Sequence, residues 1–424
     1  MPRFIWSRDG KFIVVPIDDG MSGKYDLYYF DITTKGFHLI VSSDGENLPI
    51  IFSPDNKKLL FVSTCEGDEA LYTIDWQSKT IKKLISLSKF NFPYWGAPRC
   101  VWTRDGWIYF SAGDIYRIRE DGKELQKFIG IKNESIDEIE AVSDDERLIA
   151  ITSDADGILK PGIVEIKTRK INWLGDNLHE ERAIEFSEDT NSLLALGNEN
   201  SQLRPVIYDI KRDENVKLDL EDGVYSMANF LPKNRLLVVL SSPRYGKCIG
   251  VYDMSTRKLN ILLKGEGIIR DLPEYKVISY PSKDGTKIEA TLFTPKGFKK
   301  DKKLPAVVFI HGGPHAQCML SYEWAQKAKF FTNLGFAVLM PNFRGSTGYG
   351  KKFKQAILGD FGRKDAEDIV SGIGFLKKLS WIDKRKIVAY GGSHGGYAVY
   401  MPVSYTHLRA HETRHDLVCR LLLE

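Results

Sequence analysis

The chain has 424 residues, of which 43% are hydrophobic and 27% are charged, so it can bury a large core and is not an intrinsically disordered protein. The formal net charge is only +4 with no concentrated basic block, which argues against a nucleic-acid partner. No apolar stretch is long enough to cross a membrane, and the N-terminus has no apolar signal region, so we expect no membrane association.

Five cysteines are scattered along the chain without the spacing of a metal site or of a disulfide framework. They are Cys65, Cys100, Cys248, Cys318 and Cys419. This pattern suits reduced thiols in a cytoplasmic protein. The length predicts two or three domains.

A two-part pattern repeats from Met1 to about Lys264. A turn containing Asp or Asn precedes an apolar strand, and a second strand follows about half a period later. The turns are Ser7–Gly10, Ser53–Asn56, Thr103–Gly106, Ser143–Glu146, Ser187–Thr190 and Pro232–Arg235. A period of roughly 40–50 residues with several strands per repeat is typical of β-propeller blades, whereas a series of unrelated β-meanders is the alternative. We predict a β-propeller domain over residues 1–268, with six blades visible and room for a seventh in the full protein.

Strands alternate with helices in the sequence that follows. The expected elements are a hairpin (275–280 and 287–294), strands at 304–310, 336–340 and 386–390, and helices at 324–334 and 365–378. This order predicts a mostly parallel sheet. We interpret residues 269–402 as the N-terminal part of an α/β-hydrolase domain.

The motif Gly391-Gly392-Ser393-His394-Gly395 contains G-x-S-x-G between the last expected strand and a helix. A serine at such a turn is strained and exposes its hydroxyl above the sheet. The helix N-terminus directs unpaired N–H groups at a developing oxyanion, and the N–H of His394 is the expected donor. The side chain of His394 points elsewhere in such an elbow and makes a poor base.

A glycine-rich loop, His311-Gly312-Gly313-Pro314, follows the strand at 304–310. In hydrolases of this fold, a loop in this place supplies a second backbone N–H to the oxyanion. His311 could be offered as the general base, but its neighbouring glycines favour a positioning role. The loop at 344–350 could contribute to the site or simply connect two elements.

The combination of these motifs with Asn342-Phe343-Arg344-Gly345-Ser346-Thr347-Gly348-Tyr349-Gly350 resembles the prolyl oligopeptidase family of serine peptidases. The sequence of the loop at 344–350 is most similar to the acylaminoacyl-peptidase branch of this family. The resemblance implies that Ser393 is the nucleophile and that the N–H groups of Gly313 and His394 form the oxyanion hole. It also implies an acyl-enzyme mechanism on short peptide substrates, with no metal or organic cofactor.

The dipeptidyl-peptidase branch of the family binds a free substrate amine with paired propeller glutamates. Glu180-Glu181 could serve in that role. We interpret this pair instead as the exposed start of a strand.

The sequence departs from the family after the nucleophile. In this fold the triad Asp and His follow the serine, and we expect neither within residues 394–402. Residues 403–424 resemble the translation of a transposon-based sequencing library adapter, from Val403 to Thr413 and again from Asp416 to Glu424. We therefore expect a non-native tail, disordered or arbitrarily placed, on a truncated hydrolase domain that is inactive as it stands.

The same tail contains His411-Glu412-Thr413-Arg414-His415, which matches the zinc-protease pattern H-E-x-x-H. No third ligand is arranged downstream, so we expect no metal site. The predicted function is a serine peptidase of the oligopeptidase or acylaminoacyl-peptidase type, whose propeller would restrict entry to short peptides. The alternatives are a carboxylesterase, or an inactive remnant in which the propeller is an interaction module. The oligomeric state is left open.

Overall fold

The computed structural model describes residues 4–18, 20, 23–76, 78–90, 97–132, 135, 137–212, 214–216, 218–265, 271–405, 409–413 and 418–422, with side chains as far as Met401. The chain divides into two compact units. The first contains residues 1–175, 182–193 and 208–213, and the second contains 176–181, 194–207 and 214–424. The second unit contains residues from both sides of position 268. This division therefore leaves the domain boundary between residues 268 and 269 a prediction.

The repeats are built from four-stranded antiparallel groups, taken in chain order. The strands are β1 (Ile5–Trp6), β2 (Phe12–Ile17), β3 (Asp26–Asp31), β4 (Gly36–Val41), β5 (Asn47–Phe52), β6 (Lys58–Ser63), β7 (Ala70–Asp75), β8 (Ile81–Ser86), β9 (Cys100–Trp102), β10 (Trp107–Ala112), β11 (Asp114–Arg119), β12 (Gln126–Ile129), β13 (Asp137–Val142), β14 (Leu148–Ser153), β15 (Lys160–Glu165), β16 (Ile171–Trp173), β17 (Glu180–Phe186), β18 (Ser192–Glu199), β19 (Gln202–Asp209), β20 (Glu214–Val216), β21 (Val224–Leu231), β22 (Arg235–Ser242), β23 (Gly246–Asp253) and β24 (Lys258–Lys264), with a 3₁₀ turn at Leu87–Lys89.

Strands β1–β4, β5–β8, β9–β12 and β13–β16 each form a separate sheet, while β17–β20 and β21–β24 share one sheet through a short parallel pairing of Leu203 with Val224. The strand groups therefore follow the six sequence repeats. That these groups close into a ring, and how many blades the full protein has, remain predictions.

The turn between the first two strands of a group is fixed by a repeated side-chain bond. In five groups a Ser or Thr hydroxyl donates to the carboxylate two residues later, at 2.6–2.7 Å; the pairs are Ser7–Asp9, Ser53–Asp55, Thr103–Asp105, Ser143–Asp145 and Ser187–Asp189. The residue after each Asp has a positive φ, between 54° and 84°. A short polar side chain that bonds to its own turn makes this conformation accessible, which explains the Asp-rich repeats.

Consecutive sheets of the first unit pack face to face through shared hydrophobic clusters. One cluster joins Val14 and Leu27 to Phe61, and a second joins Leu60 to Phe110. The β5–β8 sheet therefore buries both of its faces, as a blade between two neighbouring blades does.

The remaining elements form an α/β arrangement. They are β25 (Glu274–Pro281), β26 (Lys287–Thr294), β27 (Leu304–Ile310), α1 (Tyr322–Asn333), β28 (Ala337–Asn342), α2 (Lys351–Gln355), α3 (Lys364–Lys378), β29 (Ile382–Gly391) and α4 (His394–Tyr405), followed by β30 (Arg409–Thr413) and β31 (Val418–Leu422). The sheet order is β25-β26-β28-β27-β29, with β28, β27 and β29 parallel and the β25–β26 hairpin antiparallel. The hairpin, strands and helices expected from the sequence are confirmed.

Alternate residues of this sheet pack to opposite sides. Val308 and Leu339 share one core with Ile373 of α3, whereas Phe309 and Val338 share another with the buried alanines of α1. Helices thus cover both faces of the parallel strands, which explains their nearly continuous apolar sequences.

Two segments of the tail that was expected to be disordered or arbitrarily placed are strands in the structure. β30 and β31 pair as antiparallel strands, with Arg409 opposite Leu422 and Thr413 opposite Val418. Short segments of strand-forming residues can pair whatever their origin, so this pairing does not test the adapter interpretation. In the part of the chain that the structure describes, no helix has the length and apolar character needed to cross a bilayer.

Candidate active site

Ser393 lies in the turn between β29, which ends at Gly391, and α4, which begins at His394. Its φ is +55°, in the left-handed region, and the residue is exposed. A non-glycine residue rarely adopts this conformation, and such strained residues cluster at functional sites. The geometry is that of the nucleophile elbow expected from G-x-S-x-G.

The two outer glycines of the motif are required by close backbone contacts. A Cβ on Gly391 would lie 2.5 Å from the carbonyl carbon of Gly395, and a Cβ on Gly395 would lie 2.3 Å from the carbonyl oxygen of Ile310. These distances are far inside van der Waals contact. The start of α4 is therefore seated directly on the end of β27, next to the glycine-rich loop.

That loop reaches the nucleophile through Gly312. A Cβ at this position would lie 3.4 Å from Ser393 Cβ and 3.9 Å from Ser393 Oγ, so only a small residue leaves room for a substrate carbonyl beside the hydroxyl. Gly313 follows with φ +133° and a cis peptide bond to Pro314. The roles of the Gly313 and His394 N–H groups in an oxyanion hole stay predictions.

His311 is bonded away from Ser393. Its ring is buried, with Nε2 2.9 Å from Ser346 Oγ, and it stacks on Phe343 with ring centroids 4.4 Å apart. Burial lowers the pKa of His311 to about 4, so the ring is neutral at pH 7. These contacts fit the positioning role and not that of a general base for Ser393.

The loop at 344–350 is a packed part of the structure and not a loose connector. Arg344 is 4% exposed, and its guanidinium forms an ion pair with Asp368 of α3 at 2.7 Å. The Arg344 N–H also donates to Asp368 Oδ2 at 2.8 Å. Because Ser346 in the same loop contacts His311, this ion pair helps to fix the position of the glycine-rich loop.

A polar network continues from this loop. Tyr349 donates to Glu289 at 2.8 Å, and Asn342 donates to the Tyr349 hydroxyl at 2.7 Å. Ser201 also donates to Glu289, at 2.6 Å. All of these residues belong to the second unit.

Glu180-Glu181 begins strand β17, as expected, but the expectation that this strand start is exposed is wrong. The Glu180 carboxylate accepts hydrogen bonds from the N–H groups of Gly348 and Gly350, at 3.1 and 2.9 Å, and Glu181 is only 7% exposed. The physical reason is that a carboxylate can satisfy two backbone donors of a tight glycine turn. No sequence pattern indicates this pairing, since the partners are far apart in the chain.

No described imidazole is hydrogen-bonded to Ser393 Oγ, and the described residues include no cluster of His, Cys, Asp and Glu that could hold a metal ion. The H-E-x-x-H pattern at 411–415 lies outside the residues whose side chains are described. Sequence reasoning also missed Asp365, whose carboxylate lies 3.1 Å from His394 Nε2. The acidic residues Asp365 and Asp368 at the start of α3 were the available signal, but an acidic first turn is common for other reasons.

Residues 322–408 match the model of the prolyl oligopeptidase family. Dipeptidyl-peptidase 5 of Schizosaccharomyces pombe is 40% identical over 126 residues, which are 30% of this chain and 18% of the relative. The acylamino-acid-releasing enzyme of Mus musculus is 31% identical over 133 residues, which are 31% of this chain and 18% of the relative. The matched parts thus span about a fifth of either relative.

A puromycin-hydrolysing peptidase of Mycobacterium tuberculosis has a similar structure, with a TM-score of 0.79 over 95% of this chain and 66% of that chain. At 17% sequence identity this likeness concerns the fold alone. It extends over the strand repeats as well as the α/β part.

Proposed function

Because the resemblance to the prolyl oligopeptidase family is confirmed, we propose that this chain is part of a serine peptidase that hydrolyses short peptides through an acyl-enzyme on Ser393. The observation that carries the proposal is the left-handed Ser393 at the β29–α4 turn, beside Gly312, where an added Cβ would lie 3.9 Å from Ser393 Oγ. Both dipeptidyl-peptidases and acylamino-acid-releasing enzymes are among the relatives, and their names support a short substrate.

The proposed chemistry follows from this geometry. Ser393 Oγ attacks the substrate carbonyl carbon while a histidine accepts the hydroxyl proton, and the carbonyl oxygen becomes an oxyanion. The N–H groups of Gly313 and His394 would stabilise that oxygen. The histidine then protonates the leaving amine, and water releases the acyl group by the reverse sequence of steps.

The general base is assigned to a histidine other than those described around Ser393. His311 is bonded to Ser346 and His394 to Asp365, so neither is available to the hydroxyl. We propose that the triad Asp and His belong to the full-length protein and are lacking in this chain. The chain spans about two thirds of the similar solved structure, which supports this proposal.

Further proposals concern the other parts of the molecule. The strand groups would form a β-propeller of six or seven blades, and residues 403–424 would be a non-native tail. We propose a cytoplasmic location, because Cys65, Cys100, Cys248 and Cys318 are free thiols.

The test is a substrate comparison on the full-length protein. We expect hydrolysis of acetylated dipeptide p-nitroanilides and of a decapeptide, none of denatured casein, and complete loss in Ser393→Ala. Efficient cleavage of casein would contradict the restriction to short peptides. Activity on p-nitrophenyl esters alone would favour the carboxylesterase. Full activity of Ser393→Ala would refute the assignment of the nucleophile.

A further inference from the structure

The side chain of His394, the residue after the proposed nucleophile, is held in place by a carboxylate. Its Nε2 lies 3.1 Å from Asp365 Oδ2, and Asp365 is fully buried. The two residues come from the N-terminal turns of α4 and α3, respectively. A hydrogen bond is directional, so this contact restricts the orientation of the imidazole ring.

Aromatic rings hold the same imidazole from other directions. The rings of Phe343, Phe361 and Tyr397 have centroids 5.7–6.0 Å from that of His394. The Phe343 ring also stacks on His311, the first residue of the glycine-rich loop. A single fully buried ring therefore lies against both histidines. His394 carries one of the two proposed oxyanion N–H groups, and His311 lies two residues before Gly313, which carries the other.

Helix capping is the simplest alternative explanation for Asp365. An acidic residue in the first turn of a helix is stabilised by the helix dipole, and Glu367 of α3 also fits that description. Capping does not require complete burial or contact with another helix, however. Asp365 shows both features, so its carboxylate has a further role.

We propose that Asp365 is a positioning residue for the oxyanion site. By fixing the His394 ring against Phe343, it fixes the first turn of α4 and thereby the direction of the His394 backbone N–H. Oxyanion stabilisation depends on donors that are already in place when charge develops, so a small rotation of this turn weakens the transition state more than the bound substrate. The inference rests on the proposed function, because it assigns a role within that same site.

The first experiment uses the full-length protein with Asp365→Asn, which keeps the shape of the side chain, and Asp365→Ala. We expect kcat to fall by about 10- to 100-fold with KM unchanged, the range for partners that orient a catalytic group. The affinity for a peptidyl trifluoromethyl ketone should fall in parallel. Asp360→Asn, which breaks a partly exposed ion pair to Arg363 in the preceding segment, is the matched control and should leave kcat unchanged.

A loss of thermal stability without any change in kcat or inhibitor affinity in Asp365→Asn would overturn the proposal. Should Asp365→Ala fail to fold, Asp365→Asn still decides the question, because its side chain has the same shape.

The second experiment separates this inference from the proposed function. In the 424-residue chain labelled with ¹⁵N-histidine, Asp365→Asn should shift both the ring and the backbone amide resonances of His394, whereas Asp360→Asn should not. This readout needs no activity, so an inactive full-length protein would refute the peptidase proposal and leave the Asp365 contact testable. An unchanged His394 amide in Asp365→Asn would overturn the positioning role.

Discussion

Gly395 is the residue at which side-chain volume matters most around the nucleophile. A methyl group there would lie 2.3 Å from the Ile310 carbonyl oxygen and 2.8 Å from that of His311, and both are backbone atoms that cannot move aside. The contact joins α4 to the end of β27, so any relief must separate the elbow from the sheet.

We predict that Gly395→Ala destabilises the protein by about 3 kcal/mol or more, since overpacking against backbone has few means of relaxation. The matched control is Gly374→Ala within α3, where no atom lies within 4 Å of the added methyl group. That change should raise stability by about 0.5–1 kcal/mol, because alanine has the higher helix propensity. Thermal unfolding of both variants measures the difference, and equal melting temperatures would contradict the prediction.

Sequence alone located the motifs whose conformation depends on residues close together in the chain. Ser393, the elbow glycines and the glycine-rich loop are each recognisable within a few positions of one another. Asp365, Ser346 and Glu180 were not found, or were misread, because their partners are brought to them only by the tertiary fold. A carboxylate at a helix start has the same sequence signature whether it faces water or an imidazole.

At the scale of single elements, the repeated turns show how local chemistry sets the strand groups. Ser143 is almost fully buried; its hydroxyl donates to Asp145 at 2.7 Å and accepts from the Leu148 N–H at 3.0 Å. The sixth turn has Asn234 in place of the Asp and no hydroxyl two residues before it. Such a turn is stabilised differently from the other five.

We predict that Ser143→Ala lowers the free energy of unfolding by about 1–2 kcal/mol, because the partly buried Leu148 N–H loses its partner. Ser78→Ala is the control, since the Ser78 hydroxyl bonds to Asp75 in an exposed turn and should contribute less than about 0.5 kcal/mol. Chemical denaturation compares the two, and the prediction fails if the exposed substitution is the more damaging one.

A charged network joins strands of the first unit. Glu140 of β13 contacts both Arg99 and Arg182, which are also bonded to Glu138. Burial outweighs these guanidinium groups and raises the pKa of Glu140 to about 7. In the unfolded chain an ordinary glutamate has a pKa of about 4.3.

Stability should therefore depend on pH in a defined direction. Between pH 4.5 and 7 the folded state binds more protons at Glu140 than the unfolded state, so the free energy of unfolding falls as pH rises, by up to about 1.4 kcal/mol per pH unit. Glu140→Gln should flatten this dependence, while Glu165→Gln, at an exposed residue of β15, should not. Melting temperatures across this pH range provide the test, and parallel curves for wild type and Glu140→Gln would contradict it.

The elements themselves were well predicted. Apolar periodicity and turn residues predicted the bounds of the hairpin, the parallel strands and the helices to within a few residues. Each of these elements is determined mainly by the residues within it. The pairing of β19 with β21, by contrast, rests on one parallel contact that no local pattern indicates.

At the scale of the whole molecule, the question is whether this chain is active by itself. Ser393 has no described histidine as a base, and loss of a triad member typically costs several orders of magnitude in rate. The sequence indicated the hydrolase class but not the substrate, since the same elbow serves peptidases and esterases alike.

We predict that the 424-residue chain does not react with a fluorophosphonate probe under conditions that label the full-length protein. Labelling is followed by mass spectrometry of the peptide containing Ser393, with full-length Ser393→Ala as the negative control. Rapid labelling of the 424-residue chain at Ser393 would show that a base is already present in it.

The backbone conformation of Ser393 bears on the possibility that this is an inactive remnant. A left-handed serine costs on the order of 1–3 kcal/mol, which glycine would avoid, although glycine also gives the unfolded chain about 0.5–1 kcal/mol of additional entropy. Ser393→Gly should thus be neutral or mildly stabilising. In an inactive protein that needs no nucleophile, this single substitution would therefore not be opposed by a loss of stability. A serine that remains at this position in spite of that conformational cost is what the proposed nucleophilic role predicts.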